Sequence, residues 1–414
     1  MARANDGSIR QVCIMGLGYI GLPTACIFAT KGLKVIGVDI RHDVVNLLSK
    51  GDTHIYEPDL DILVKAAIGS KKLKVSTEPQ ASDAFMICVP TPFKDGKKPD
   101  LSYVKKCMES IIPYLKKGNL IVLESTSPIM TTENLVAGMV SKAGFVPGED
   151  IYIAYCPERV LPGNIFKELV QNDRVIGGIN EKSARIAQKL YSTVVQGRIY
   201  LADAKTAEMV KLVENAYRDV NIAFANEIAG IADKFGIDVW RVIEIANRHP
   251  RVNILSPGAG VGGHCIAVDP WFIVDSAPGQ SALIKTARNV NDKRAEDVFK
   301  KVIAAAASEK KGRSGKVKVA CFGITYKADV DDLRESPALK IAKKLATRKD
   351  IALLVVEPNV KKCAGLELTT KEKALIECDI AVFLVNHSEF KEISSEDLIG
   401  IKVIDVCGLM RGIR

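Results

Sequence analysis

One cysteine stands in a glycine-dense stretch, Gly258-Ala-Gly-Val-Gly-Gly-His-Cys265-Ile-Ala-Val-Asp269-Pro. Glycines there, Gly262 among them, let a substrate carbon approach the thiol and leave backbone N–H groups to receive an oxyanion. Cys265 is therefore a candidate covalent nucleophile, with Asp269 as the nearest acid. On the residues alone, a structural thiol in a tight turn fits as well. A zinc site made of His264, Cys265 and Asp269 fits badly, because adjacent ligands on one turn cannot complete a tetrahedral set, and no metal is expected.

A second constellation is Gly16-Leu-Gly18-Tyr19-Ile20-Gly21, which follows an apolar run and opens a segment of helical length. In that context the glycines let the backbone reach a pyrophosphate at a helix N-terminus, where unpaired N–H groups and the helix dipole favour anions. Asp39, at the end of the next apolar run, is placed to bind the two ribose hydroxyls of NAD and to repel the extra phosphate of NADP. The plainer reading is a glycine turn that only packs helix on strand.

Lys211, Asn215 and Arg218 fall at i, i+4 and i+7, so one helix face carries a cation, an amide and a guanidinium. That face suits a sugar and its phosphates; it suits a solvated surface too. Thr325-Tyr326-Lys327 and the stretch through Arg334 to Ser336-Pro337 follow another apolar run, and Ser336-Pro337 reads as a helix start.

The elements that must position these groups are legible as periodicity. Apolar runs at Ile9–Met15, Lys34–Val38, Ala84–Val89, Leu120–Leu123 and Ile151–Ala154 alternate with helical segments, the first at Tyr19–Lys31, which predicts a doubly wound parallel α/β sheet. From Asp203 to Phe235 the pattern is one long amphipathic helix, followed by a helix over Asp238–Asn247, a loop over Pro250–Asp269 and a helix over about Ser281–Lys311. Glu309–Lys316 reads as a linker. Runs at Val317–Phe322, Ala352–Val356, Ile380–Leu384 and Lys402–Asp405 then predict a second parallel α/β sheet. The expected architecture is two Rossmann-like domains joined by a central helical domain: residues 1–202, which carry the glycine turn for NAD, then 203–310, then 315–414.

Composition narrows the function class. With 414 residues and 47% hydrophobic side chains the chain is a globular multidomain protein. Its net charge of +9 comes from scattered lysines with no interleaved aromatics, so a polyanionic small ligand explains it and nucleic acid is not expected. The start lacks an apolar segment and no run reaches membrane-spanning length, so a cytoplasmic protein without a membrane partner is expected. Ten cysteines without a C-x-x-C pair exclude a disulfide scaffold, and Cys13, Cys88, Cys321 and Cys407, in apolar runs, are expected to be buried and inert.

Taken together, Gly16 to Gly21 with Asp39, Val89-Pro-Thr91-Pro, Glu124-Ser-Thr126, Pro157-Glu158-Arg159, Lys211 to Asn215, Gly262-Gly-His-Cys265 with Asp269, and Gly323 to Pro337 resemble the UDP-glucose/GDP-mannose dehydrogenase family over nearly the whole chain. The resemblance implies that Tyr19, Ile20, Asp39, Thr91, Thr126 and, from the third domain, Arg334 contact NAD. It implies that Lys211, Asn215, Arg218, His249, Arg251, Tyr326 and Lys327, joined by Glu158, Arg159 and Val160, hold a UDP-sugar. It implies a homodimer, or a dimer of dimers, built on the long helix, with the His249–Arg251 loop serving the neighbouring subunit. His264, the lack of a second acid at Leu161-Pro-Gly163 and the stretch Asn247–Asn253 resemble the UDP-N-acetylmannosamine branch. Ser127-Pro128-Ile129-Met130 departs from the family's usual Val-Pro-Pro-Gly.

The expected chemistry is a four-electron oxidation of a sugar primary alcohol to a carboxylate through a Cys265 thiohemiacetal and thioester, serving polysaccharide biosynthesis. UDP-glucose, UDP-N-acetylglucosamine and UDP-N-acetylgalactosamine are alternative substrates. A nucleotide-sugar sensor without turnover is the alternative against which the intact Lys211, Cys265 and Asp269 set argues, and a two-electron hydroxy-acid dehydrogenase needs neither Cys265 nor a third domain.

Overall fold

The computed structural model describes residues 9–160, 163–263, 265–310 and 315–411. Leu161, Pro162, His264 and the centre of the linker lie outside the described residues. The chain forms two compact units, Met1–Val213 with Trp271–Ser276 and Glu214–Pro270 with Ala277–Arg414.

In the first unit the described strands are β1 (Gln11–Met15), β2 (Lys34–Val38), β3 (Leu73–Ser76), β4 (Ala84–Ile87), β5 (Leu120–Leu123), β6 (Tyr152–Tyr155), β7 (Arg174–Gly178) and β8 (Ile199–Asp203). They pair in the order β3-β2-β1-β4-β5-β6-β7-β8. β1 lies between β2 and β4, with Met15 facing Val38 on one side and Ile87 on the other. The strand order reverses there, and in an open α/β sheet the crevice beyond the carboxyl ends at that point takes the ligand. Strands β4 and β5 are buried on both sides, which is why they read as unbroken apolar runs.

The sheet is not wholly parallel, as the sequence reading expected, because β7 runs antiparallel to β6. Among the described residues the helix between them is Ile165–Gln171, seven residues.

Helix α1 (Gly21–Thr30) follows β1 and buries nearly its whole length against the sheet. Helix α2 (Ala204–Phe235) is the long helix, starting one residue later than expected. Met130 lies two residues before a π-helical segment, Thr132–Ala137, and adopts the left-handed φ of 75°. Glu208 of α2 fixes this turn, accepting the N–H of Met130 at 2.6 Å and the N–H and hydroxyl of Thr132 at 2.7 and 2.6 Å. A β-carbon in that conformation costs roughly 1–2 kcal/mol, more than the ~0.5–1 kcal/mol of backbone entropy a glycine would add. Met130→Gly is therefore expected to stabilise the protein by about 0.5–1 kcal/mol in denaturant titrations; a fall in the midpoint would mean that the methionine side chain contributes more than the strain takes away.

The second unit holds β9 (Val317–Phe322), β10 (Ile351–Val356), β11 (Ile380–Phe383) and β12 (Lys402–Asp405), all parallel in the order β10-β9-β11-β12. Helices α3 (Val239–Ala246), α4 (Asp269–Ser276), α5 (Ala282–Glu309) and α6 (Pro337–Ala346) complete the described elements used below. The Ser336 side chain accepts the Leu339 N–H at 3.1 Å, the cap its Ser-Pro pair predicts. Helix α4 begins at Asp269, the last residue of the expected loop, in a stretch to which the sequence reading assigns no helix; Asp269 and Pro270 in a first turn are helix-start residues.

A buried polar core joins α5 to the second-unit part of α2. Arg288 donates to Asp219 at 2.5 Å with both side chains essentially inaccessible, and Asn291 donates to the same carboxylate at 2.8 Å. Burial pushes Asp219 above the usual carboxylate range while Arg288 pulls it back. Asn291 also accepts from Asn226 at 2.9 Å, and Asn226 accepts the Gly258 N–H at 2.9 Å. Arg294 donates to the Gly258 carbonyl at 3.1 Å, so the root of the cysteine loop is held on both backbone groups.

Candidate active site

The turn after β1 is built for close approach. Gly16 has φ 93° and its N–H donates to the Val38 carbonyl at 2.7 Å; a β-carbon there would sit 2.7 Å from the Cys88 carbonyl oxygen. A β-carbon on Gly21 would sit 1.8 Å from the Gly16 oxygen, so these two positions are glycine for packing. One on Gly18 would meet nothing within 4 Å, so the turn is open to solvent on that side. Tyr19 is exposed and Ile20 half-buried at the mouth of α1, whose N-cap has no side-chain partner. Asp39, directly after β2, accepts the N–H groups of Leu17 at 3.2 Å and Arg41 at 3.0 Å. The Thr91 hydroxyl donates to the Thr126 carbonyl at 2.6 Å, tying the ends of β4 and β5 together. Glycine cradle, helix N-terminus and strand-end acid fit a dinucleotide with a ribose diol.

In the second unit Cys265 is exposed. Its carbonyl accepts the N–H groups of Val268 at 3.0 Å and Asp269 at 2.8 Å, placing the thiol one turn before the first residue of α4. Asp269 is 3% exposed, and Asn215 of α2 donates to its carboxylate at 2.6 Å. Gly263 has φ 81°, donates to the Arg334 carbonyl at 3.1 Å, and has no room for a β-carbon, which would lie 2.8 Å from the Tyr326 ring. At Gly262 the obstacle is the Glu335 carbonyl oxygen at 2.6 Å. The glycines thus seat the cysteine loop on the Tyr326–Pro337 segment as well as opening it. Burial, then Asp332 and Cys265, push the Tyr326 hydroxyl above its ordinary range. Arg334 pairs with Asp332 through Nε at 2.9 Å and Nη2 at 2.6 Å.

Three family models match the chain: the UDP-glucose/GDP-mannose dehydrogenase family NAD binding domain over residues 10–195, its central domain over 205–293 and its UDP binding domain over 320–409. The chain belongs to this family. It is an NAD-dependent UDP-sugar dehydrogenase. An NDP-N-acetyl-D-galactosaminuronic acid dehydrogenase of Ralstonia nicotianae is 50% identical over 420 residues, covering 99% of this chain and 98% of its own. A UDP-N-acetyl-D-mannosamine dehydrogenase of Campylobacter jejuni is 50% identical over 412 residues, covering 96% and 99%. The solved UDP-D-ManNAc dehydrogenase of Pyrococcus horikoshii matches with a TM-score of 0.88 at 39% identity, covering 96% of each chain.

In this dehydrogenase Lys211 is 8% exposed, so the reading of its helix face as solvated surface fails there, while Arg218 is exposed. The structure brings together Asn215 with Asp269, Thr91 with Thr126, and Gly262 and Gly263 with Tyr326 and Arg334. For Arg218, Lys327, His249 and Arg251 it shows exposure, the Arg251 N–H donating to His249 Nδ1 at 3.3 Å. Glu158 turns its buried carboxylate onto Arg174 at 3.1 Å and the Arg159 N–H at 2.6 Å; Val160 packs on the core.

That ion pair is part of a cluster the sequence reading missed. Tyr191 donates to Glu124, which also accepts from the Cys88 thiol at 3.1 Å. Burial, then Glu158, raise the Glu124 carboxyl. The cluster draws on β5, β7 and the helix Glu181–Tyr191, so no local spacing announces it.

Among the ten cysteines only Cys265 is exposed. Burial raises Cys13 to about 11 and Cys321 to about 12; Cys88 and Cys407, only half-buried as residues, are raised by burial too. These thiols stay protonated at neutral pH. Among the described residues no helix is long and apolar enough to cross a membrane.

Proposed function

We propose that this enzyme oxidises UDP-N-acetyl-D-mannosamine to UDP-N-acetyl-D-mannosaminuronate, with Cys265 as covalent nucleophile. The observation that carries the reading is an exposed thiol one helical turn before a buried carboxylate that an asparagine holds at 2.6 Å. NAD, when bound, accepts one hydride at each of the two oxidations. Lys211 and Asn215 stabilise the alkoxide as the primary alcohol becomes an aldehyde. The Cys265 thiolate adds to the aldehyde carbon, giving a thiohemiacetal whose oxidation leaves a thioester, so the reactive aldehyde never departs. Water activated through Asp269 then cleaves the C–S bond, releasing the carboxylate and the thiol.

In this reading residues 1–202 bind NAD through Gly16, Gly18, Tyr19, Ile20, Gly21, Asp39, Thr91 and Thr126, with Arg334 as a further contact. Residues 203–310 carry catalysis and dimerisation, and 315–414 bind the UDP moiety through Tyr326 and Lys327. The remaining sugar contacts are Glu158, Arg159, Val160, Arg218, His249, Arg251 and Gly262. An exposed apolar face on α2, with Met209, Val213, Tyr217, Phe224 and Ile231 at helical spacing, supports a homodimer built on that helix. The enzyme acts in the cytoplasm, supplying an activated uronate to polysaccharide assembly.

His264 and the Asn247–Asn253 stretch support the mannosamine sugar. The Ralstonia relative's name, at the same 50% identity, makes the N-acetylgalactosamine epimer the second reading. The test is NADH formed per sugar consumed with each UDP-sugar. Two NADH with UDP-N-acetylmannosamine alone is the expected result; two with another sugar keeps the chemistry and moves the specificity, and one NADH overturns the four-electron reaction.

Asp39→Asn removes the charge that discriminates against a 2′-phosphate. It is expected to narrow the preference for NAD over NADP at least tenfold, about 1.4 kcal/mol, in kcat/KM. An unchanged ratio would take Asp39 out of the cofactor site.

A further inference from the structure

The turn after β9 repeats the backbone plan of the turn after β1. Gly323 has φ 86° where Gly16 has 93°, and its N–H donates to the Val356 carbonyl at 2.9 Å where that of Gly16 donates to Val38 at 2.7 Å. In both copies an acid directly follows the second strand, Asp39 in one and Glu357 in the other. The two acids have different surroundings. The Asp39 side chain keeps 13% of its surface accessible, whereas that of Glu357 keeps none.

Every direction around Glu357 is taken up inside the protein. Oε2 accepts the N–H groups of Ile324 at 2.8 Å and Thr325 at 3.1 Å, and faces His387 Nε2 at 3.2 Å. Oε1 accepts the Asn359 N–H at 3.0 Å. His387 is itself fully buried. Its Nδ1 accepts the Asp329 N–H at 3.0 Å and lies 3.0 Å from the Asn359 amide nitrogen, so the ring proton sits on Nε2 and points to Glu357, with the Thr325 hydroxyl 3.2 Å from the same nitrogen. Phe390 packs edge-on against the ring at 5.3 Å. An acid engaged in this way cannot read a ribose diol.

The backbone groups so held bracket a short segment: Glu357 takes Ile324 and Thr325, His387 takes Asp329, and Tyr326 and Lys327 stand between. We propose that Glu357 and His387 are positioning residues for the UDP moiety, clamping the loop that presents Tyr326 and Lys327, and that the second Rossmann-like sheet has turned its ribose acid into this internal anchor. The proposal rests on the reading that Tyr326 and Lys327 hold the nucleotide.

The experiment compares His387→Leu, His387→Gln and Lys327→Ala by steady-state kinetics in both substrates and by calorimetric titration with UDP. Leucine fills the volume but takes from Glu357 its one side-chain donor, the imidazole, and from the Asp329 N–H its acceptor; glutamine supplies one of each. His387→Leu is expected to raise the UDP Kd and the UDP-sugar KM at least tenfold, with kcat and the NAD KM within twofold, and His387→Gln to recover most of the loss. Should His387→Leu fail to fold, Glu357→Gln, which preserves packing, carries the same expectation. An unchanged UDP Kd in His387→Leu beside a raised one in Lys327→Ala overturns the clamp alone. Unchanged values in all variants overturn the reading beneath it, and parallel losses for UDP and NAD overturn the clamp in favour of general damage.

Discussion

Cys265→Ser is expected to abolish uronate formation, lowering the rate at least ~10³-fold, because an un-ionised hydroxyl is a far weaker nucleophile than a thiolate at neutral pH. The loop that carries the thiol is fixed through backbone groups, its carbonyl by the Asp269 N–H and its neighbour Gly263 by the Arg334 carbonyl. The substitution therefore changes one atom at an exposed position and should leave the melting temperature within a degree or so of wild type. Without covalent capture the aldehyde is the last product the residues can make, so a stoichiometric assay should show at most one NADH per sugar. Normal acid production by the serine variant would remove the thioester from the mechanism and return Cys265 to a structural thiol in a turn.

Arg288→Met is expected to destabilise the protein by about 3–5 kcal/mol, because it leaves Asp219 buried without its counter-charge. The side chains of this pair are 1% and 0% exposed, so water cannot compensate. Asn291 shares the Asp219 carboxylate and, through Asn226, reaches the Gly258 N–H; the loss should therefore reach the root of the cysteine loop and lower kcat as well. The companion variant Arg288→Met with Asp219→Leu removes both charges and should recover much of the stability, since exchanging a buried pair for apolar side chains is often close to neutral. Denaturant midpoints for the two variants test this directly: a single variant as stable as wild type would show that Asn291 alone satisfies Asp219.

What could be read from the sequence was what local rules govern. β1, α1 and β2 follow from an apolar run, a glycine turn and a strand-end acid, and the long helix and the four strands of the second sheet from their own periodicities. β3 was missed because Leu-Lys-Val-Ser is too short to show alternation, β7 because its last two residues are glycines, and β8 because its edge position leaves Tyr200 and Leu201 exposed. In the site, Cys265, Asp269 and Asn215 were each visible as candidates, while the 2.6 Å bond between Asn215 and Asp269 was not. The buried pairs, Glu124 with Tyr191, Asp219 with Arg288 and Glu357 with His387, meet across long stretches of chain. No period or spacing encodes such pairs; each arises only when burial forces a polar group to find a partner.

The packing at Gly262 also limits how this protein can diverge. Where a glycine is crowded by a side chain, a lineage can enlarge one residue and trim the other, and the two positions drift together. The wall at Gly262 is the Glu335 carbonyl oxygen, a backbone atom that no substitution can make smaller. Descendants that keep this loop seated on the Tyr326–Pro337 segment inherit glycine at 262, and sequence change around the loop has to accumulate at other positions.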